Sequence, residues 1–327
     1  MMNSRPSRRG LMAGAAASLA APRLARAQEP RYPTQSIRFV SPYPPGGGTD
    51  VTARIISPAM GEFLGQPIVV DNRPGAAGAI GAAEVARAAP DGYTVLVDAL
   101  GHVVNPFVLR GLNFDYASFV PVSQLTLLAQ AMVTSPNTPG NDLAGFIAYA
   151  KSRGGSLAYA SSGTATGSQL ASVLFLREAG LDLVHVPYRG GSAVLPDVIS
   201  GNVAFAFSTV NTATNLVRDG RLKALAIASD QRVAALPNVP TMAEAGFPAV
   251  VVDEWNGMFC PPGTPRRIVD RLYAGVRHTL QIQAVKDRFA ATGARIVGSN
   301  PEEFARFVAE RLEATGRLVR EAQITVD

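Results

Sequence analysis

The sequence has 327 residues, 47% of them hydrophobic and 17% charged, a composition that indicates a folded globular chain and excludes an intrinsically disordered one. Its formal net charge is +5, but residues 1–27 contain five arginines and no acidic residue. Without that segment 25 basic residues balance 25 acidic ones, so the charge gives no reason to expect a nucleic-acid partner. The length is sufficient for two lobes.

Residues 1–27 have the pattern of an export signal. Arg8 and Arg9 precede the apolar stretch AGAAASLAAP, and Ala25–Ala27 is a small-x-small cleavage sequence. The arginine pair resembles a twin-arginine signal, although Leu11 stands where that signal prefers Phe, and an ordinary secretory signal is the alternative. We expect export and cleavage after Ala27.

Apolar strand-like runs alternate with helical patterns, which favours an α/β fold with largely parallel strands. In the first third we predict strands at 37–43, 67–73 and 93–99 and helices at 51–64 and 78–90, with a kink or a short break at Pro58. The middle repeats the scheme, with helices at 142–154, 168–180 and 195–202 and strands at 156–163, 183–188, 203–210 and 222–229. Three C-terminal helices are predicted at 265–280, 281–292 and 301–322.

Two α/β units in series predict two lobes with a cleft between them. Crossover segments are expected near 120–132 and 250–260, after which the chain returns to the first lobe. We therefore assign residues 28–127 and 252–327 to the first lobe and residues 128–251 to the second.

The stretch SPYPPGGGTD (41–50) connects the first predicted strand to the first helix. Gly46 and Gly48 match the Rossmann spacing, but Val51 occupies the third glycine position, and no lysine in the chain follows a glycine as a P-loop requires. What remains is a turn and a helix N-terminus with Asp50 as its N-cap, which suits an anion of any chemistry. Tight strand–helix packing alone is the alternative.

A second loop, ASSGTATGS (160–168), has the same character in the other predicted lobe. It follows a strand, precedes a helix, and combines hydroxyl side chains with glycines that permit close backbone approach. Neither loop contains a lysine or an arginine. Two such loops, one in each lobe, suggest a ligand shared between them.

The sequence contains no recognisable catalytic or metal-binding pattern. There is no G-x-S-x-G, the histidines His102, His185 and His278 are far apart, and no metal-ligand spacing occurs. The single cysteine, Cys260, lies among apolar residues, where we expect a buried, unreactive thiol. We expect a protein that is not an enzyme, has no cofactor and binds no metal.

Several segments together resemble a known family. They are YPTQSIRFVSPYPPGGGTDVTAR, LGQPIVVDNRPGAAGAIGAAEVARAAPDGYTVLV, YASSG, VPYRGG, LKALAIAS, LPNVPTMAEAGFP and WNGMFCPPGTP, in this order. The chain resembles the extracytoplasmic solute receptors of the tripartite tricarboxylate transporter system, the TctC-like or Bug group, over essentially its whole length after residue 27.

The resemblance implies a two-lobed periplasmic binding protein of type II-like fold, whose crossover strands join the lobes and whose cleft closes on a small carboxylate. It implies a monomer that delivers this ligand to membrane permease subunits, with no nucleic-acid partner. The ligand-binding residues it implies are Tyr43, Pro45, Gly46, Gly47, Thr49 and Asp50 in the first loop, Ser161, Ser162, Gly163, Thr164 and Thr166 in the second, and Tyr188, Arg189 and Gly190 on the cleft wall.

The chain departs from the family pattern at Ala165, Gln169 and Arg189, where many members have glycine, histidine and lysine. These positions affect ligand selection, so the sequence does not name the carboxylate. Two other functions use the same fold: a sensing or adaptor protein that presents its ligand to a signalling partner, and an enzyme on a binding-protein scaffold. The absence of a catalytic pattern argues against the enzyme.

Overall fold

The computed structural model of the protein describes residues 32–153, 155–163, 166–188 and 190–321. The predicted export signal and the predicted site residues Thr164 and Arg189 lie outside the described residues. Within these ranges, no helix is both long and apolar enough to cross a bilayer.

The described residues form eleven strands in two sheets. The strands are β1 (Ile37–Ser41), β2 (Ile68–Asn72), β3 (Thr94–Ala99), β4 (Val120–Leu128), β5 (Gln130–Thr134), β6 (Ala158–Ser161), β7 (Val184–Pro187), β8 (Phe205–Thr209), β9 (Lys223–Ile227), β10 (Glu254–Cys260) and β11 (Arg295–Ile296).

Ten α-helices accompany these strands in the described part of the chain. They are α1 (Gly48–Leu64), α2 (Ala79–Ala86), α3 (Gly101–Val108), α4 (Leu143–Ser152), α5 (Gly167–Ala179), α6 (Gly191–Ser200), α7 (Val210–Arg218), α8 (Arg266–Thr279), α9 (Gln283–Ala291) and α10 (Pro301–Glu321).

Each sheet belongs to one lobe, and the strand order shows where the chain crosses. The first sheet has the order β11-β4-β10-β3-β1-β2 and the second has the order β7-β6-β8-β5-β9. The pairs β1/β2, β1/β3, β6/β7 and β6/β8 are parallel. β10 is antiparallel to β3 and β4, and β5 is antiparallel to β8 and β9. The chain passes from the first sheet to the second between β4 and β5 and returns to the first sheet at β10.

Local sequence explains several helix ends. The Asp142 carboxylate caps α4 by accepting a hydrogen bond of 2.8 Å from the Gly145 N–H. α5 stops at Gly180, whose φ of +61° is the left-handed conformation that ends many helices. α1 continues through Pro58 without a break, so the predicted kink does not interrupt the helix. It also begins earlier than predicted.

Aromatic rings pack against one another within the largely aliphatic core of each lobe. In the second lobe Phe175 contacts Phe146 and Phe205, with ring centroids 6.4 and 5.7 Å apart. In the first lobe Trp255 packs edge-on against Phe304, with centroids 5.8 Å apart, which fixes α10 against β10.

The structure confirms the predicted α/β fold with two lobes and a crossover at each predicted segment. The prediction of largely parallel strands is wrong, because both sheets are mixed and the crossover strands pair antiparallel with their neighbours. The prediction of a buried thiol is also confirmed: Cys260 is fully buried, and burial raises its pKa to about 12. Three short elements, α3, α7 and β11, were not predicted. The lobe boundaries assigned from the sequence stay a prediction, although every strand of the first sheet lies within 37–128 or 254–296.

Candidate functional site

The first loop ends at a helix start without a side-chain cap. α1 begins at Gly48, and its N-cap is Gly47 in an extended conformation with no side-chain hydrogen bond. Gly46 has a φ of +81°, a conformation that side-chain-bearing residues rarely adopt. The N–H groups and positive dipole end of α1 are therefore suited to receive an anion.

Asp50 is not the N-cap that the sequence predicted but the third residue of α1. Its carboxylate accepts hydrogen bonds of 2.9 Å from the Gly46 N–H and from Arg54 Nε. Burial by itself raises the pKa of Asp50, but the bonds from Arg54, Gly46 and Asn72 outweigh burial and lower it overall. Asp50 is buried and already paired, so it stabilises the loop.

The other predicted residues of the first loop occupy different surroundings. Thr49 is buried, and its Oγ1 lies 2.7 Å from Ser41 Oγ, so its hydroxyl faces the strand. Pro45 and Gly46 are exposed. The hydroxyl of Tyr43 lies directly against Gly101, where there is no room for even a methyl group.

The hydroxyls of the second loop mostly bond to each other and to the loop backbone. Ser161 is fully buried; it donates to the Gly163 carbonyl at 3.0 Å and lies 2.7 Å from His185 Nε2. Thr166 is the N-cap of α5, donates to the Gly163 carbonyl at 2.7 Å, and lies 3.2 Å from Ser162 Oγ. These bonds fix the loop shape and leave backbone groups to meet a ligand.

His185 acts as a support for this loop. Burial lowers its pKa, so the ring is neutral at physiological pH. Because Ser161 donates to Gly163, His185 Nε2 carries the proton and donates to Ser161, while Nδ1 lies 3.3 Å from Gln169 Nε2 and accepts from it. The pair Ser161–His185 therefore lacks a carboxylate to orient the histidine, unlike a Ser-His-Asp triad.

The third predicted segment pairs with the second loop through its backbone. The N–H of Tyr188 donates to the Ser161 carbonyl and that of Gly190 to the Ser162 carbonyl, both at 3.0 Å. The Tyr188 hydroxyl donates to Asp197 on α6, and this bond raises its pKa to about 12. Its side chain is thus held against α6.

Two polar residues of β10 form a cleft floor that sequence reasoning missed. A methyl group on Gly48, at the start of α1, would lie 3.8 Å from Asn256 Oδ1. Gly167, at the start of α5, donates its N–H to Glu254 Oε1 at 3.2 Å. The two helix starts, from different lobes, therefore reach the same face of one strand.

A signal for this floor exists in the sequence. In EWNGMFC, Glu254 and Asn256 flank a tryptophan, and period-two alternation in a strand puts the two polar residues on one face. Trp255 points the other way, into the core of the first lobe. Hydrophobicity alone had marked the segment as a crossover without distinguishing its faces.

The floor also contains groups with unusual proton affinity. Burial, together with the charge of the neighbouring Asp253, raises the pKa of Glu254 to about 7, against the opposing effect of the bond from Gly167. Burial also raises the pKa of Tyr43 well above its ordinary value, with contributions from Asp98, Tyr116 and Glu254. In the described ranges, no three His, Cys, Asp or Glu side chains come together as a metal site requires.

A separate cavity of about 330 Å³ lies behind β10, between α5 and α10. It is lined by Arg177, Asp253, Trp255 and Arg311 among others, and by none of the predicted site residues. This cavity and the predicted loops are thus different places. The two helix starts meet at the loops and not at this cavity.

The chain matches the family model of the tripartite tricarboxylate transporter family receptor over residues 52–324. It is 35% identical over 296 residues to Protein BugT of Bordetella pertussis, covering 89% of this chain and 90% of BugT. MatC from Rhodopseudomonas palustris with bound malate is 33% identical, with a TM-score of 0.76 over 88% of this chain and 100% of MatC. An R. palustris protein solved with adipate is 30% identical, with a TM-score of 0.80 over 90% of this chain and 100% of that protein.

Proposed function

Because the chain belongs to the tripartite tricarboxylate transporter receptor family, we propose that it is an exported receptor that binds a small carboxylate between its lobes. The observation that carries this proposal is the meeting of two helix starts from different lobes on β10. Gly48 approaches Asn256, and Gly167 donates to Glu254. The uncapped start of α1 offers backbone N–H groups and a helix dipole to an anion from one side of this floor, and the second loop faces it from the other lobe.

The malate and adipate in the two similar R. palustris structures support a carboxylate as the ligand class. The proposed contacts come from the backbone of the first loop at Tyr43–Gly47, from the second loop at Ser161–Thr166, and from Tyr188–Gly190. The side chains of Thr49 and Asp50, which follow the first of these segments, bond within the protein and support the loop.

The receptor acts in the periplasm as a monomer after cleavage behind Ala27, and it passes its ligand to membrane permease subunits. Two parts of this proposal are measured separately. The mass of the protein recovered from the periplasm of its own host should correspond to a chain beginning at Gln28. Deletion of its gene should abolish uptake of the bound carboxylate by that host.

Binding is tested by native mass spectrometry of protein purified from its own host, followed by calorimetry with malate and adipate as probes. We expect a retained acid or a saturable heat of binding. The absence of binding to any of a broad set of carboxylates, by a protein that remains folded, would refute the receptor proposal. Conversion of a bound acid into a product would favour the enzyme alternative.

A further inference from the structure

One end of the proposed site already contains a carboxylate of the protein itself. Glu254 Oε1 lies 3.2 Å from the Gly167 nitrogen, at the N-terminus of α5. A methyl group on Gly167 would lie 2.6 Å from the same oxygen, so helix start and carboxylate are in close contact. The first N–H of α5 is therefore already bonded to Glu254 and is not free for an anionic ligand group.

A second buried polar side chain, Gln130, reaches the same helix start. Gln130, the first residue of β5, is 1% exposed, and its Nε2 would lie 2.7 Å from a methyl group on Gly167. Its Oε1 has no hydrogen-bond partner within the described part of the chain. Buried amide oxygens are nearly always paired, so this corner of the cleft contains an acceptor in need of a donor.

The charged and titratable groups around Glu254 do not supply that donor. Asp253 precedes it on β10 and is itself acidic, and burial raises the pKa of Asp253 to about 6. Tyr43 faces it from the first loop as a neutral phenol. α5 contributes the Gly167 N–H, and β5 contributes the neutral Gln130. A cation placed here would gain an ionised Glu254, whereas a second ligand carboxylate would be repelled.

On the premise of the proposed function, we infer that the ligand carries an ammonium group beside its carboxylate, and that Glu254 and Gln130 accept this ammonium. The carboxylate then lies toward the uncapped start of α1, near Asn256. Glu254 and Asn256 are two residues apart on one strand face, a spacing of about 7 Å. This spacing suits a short linear amino acid whose charged ends are separated by several carbons.

The test compares isosteric probes that differ only in the group offered to Glu254. 4-Aminobutyrate is compared with succinate, and 5-aminovalerate with glutarate, by calorimetry in buffers of different ionisation enthalpy. Of the two amino acids, the one that binds more tightly should bind at least about tenfold more tightly than the dicarboxylate of the same length. Near neutral pH its binding should release protons, because an ammonium stabilises the ionised form of Glu254, whose pKa is about 7.

Glu254→Gln should remove the preference for the amino acid over its dicarboxylate and should also remove the proton release. Its binding of the dicarboxylates should be kept or improved. Glu178→Gln, which removes an exposed carboxylate from the opposite end of α5, is the matched control and should behave as the unmodified protein. If Glu254→Gln does not fold, proton release by the unmodified protein still tests the inference.

The inference would be overturned if the dicarboxylates bound more tightly than the amino acids in both the unmodified protein and Glu254→Gln. That result would leave the proposed receptor function intact. Equal binding of each pair without proton release would also overturn it. Failure of both series to bind would count against the receptor function as well as the inference, so the two failures are distinguishable.

Discussion

At the scale of single residues, two carboxylates near the cleft behave in opposite ways because their partners differ. Asp50 accepts from Arg54 and from a backbone N–H, which stabilise its ionised form. Glu254 is desolvated and has one backbone donor beside the acidic Asp253, which favours its protonated form. The first carboxylate supports the loop, and the second faces the proposed ligand.

Asp50→Asn should destabilise the protein by about 1 kcal/mol at neutral pH while changing ligand affinity less than about tenfold. The lowered pKa of Asp50 contributes stability above the ordinary carboxyl pKa, and this is lost as pH falls through its folded value. The variant and the unmodified protein should therefore converge in acid. Chemical denaturation across pH and calorimetry measure the two effects.

The control for this prediction is Asp270→Asn, which breaks an i,i+4 pair with Arg266 whose side chains are both more than half exposed. It should change stability by less than about 0.5 kcal/mol. A loss of affinity beyond about 100-fold in Asp50→Asn would contradict the structural role and show a charge contact with the ligand.

Glu254 should make stability fall as pH rises from about 4.5, the ordinary carboxyl pKa, to about 7. Its folded pKa of about 7 is above the ordinary value, so its contribution is fully present below the unfolded pKa and is lost as pH rises through 7. We expect a loss of about 3 kcal/mol across this window, and Glu254→Gln should remove it. An identical slope in the variant, measured by denaturant unfolding, would contradict this role.

At the scale of elements, the starts of α1 and α5 are related in sequence but packed differently against β10. A methyl group on Gly48 would stand at ordinary contact distance from Asn256, at 3.8 Å. A methyl group on Gly167 would stand 2.6 Å from Glu254 Oε1 and 3.0 Å from Leu100 Cδ2. The second helix start is thus in tight contact with the floor, and the first has room.

Gly167→Ala should displace Glu254, break its hydrogen bond with the α5 backbone and cost about 1–2 kcal/mol of stability. Gly48→Ala is the matched control and should change stability by less than about 0.5 kcal/mol, since the added methyl group meets no close atom. Denaturant unfolding of both variants checks the contrast. Equal stabilities would show that the Gly167–Glu254 contact is not maintained in solution.

At the scale of the whole molecule, the lobes are separate sheets joined by strands that cross between them. β4 and β5 are separated by a single residue, Ala129, so this crossing is short. The backbone bond from Val252 to the Ala228 carbonyl lies near the second crossing. Such connections allow the lobes to change their relative orientation without unfolding either sheet.

We expect the lobes to close on the ligand, because only a closed form offers contacts from both loops. Small-angle scattering at saturating ligand, using whichever carboxylate binds in calorimetry, should show a smaller radius of gyration than without it. An unchanged radius would mean either that closure does not accompany binding or that the free protein is already closed. Gly167→Ala separates these cases, because it should expand a free protein that is already closed.

Affinity for the carboxylate should change little between low and physiological ionic strength. Neither loop, 41–50 or 160–168, contains a lysine or an arginine, so short hydrogen bonds must hold the anion, and salt screens these poorly. Ser162→Ala should weaken binding. The mechanism would be wrong if Arg189→Gln abolished binding while Ser162→Ala and Thr164→Ala bound normally.

The alternation of apolar strands with helical patterns was sufficient to predict the two-lobed α/β fold and most elements. Local signals such as Gly180 after α5 act within a few residues and are therefore visible in sequence. The short elements α3 and β11 were missed because a few residues carry too weak a periodicity, and their conformation depends on packing against distant strands. The family resemblance added the ligand-binding roles of the two loops but not the floor between them.

The sequence by itself determined the fold class, the two glycine-containing loops and the absence of basic residues from both, because these depend on composition and local spacing. Only the tertiary structure decided that Asp50 is paired with Arg54, and that Glu254 reaches Gly167, 87 residues away along the chain. The charge state of a carboxylate depends on its burial and on partners brought from distant segments. For that reason Glu254, the group that we propose selects the ligand, could be identified only from the packing of β10 against α5.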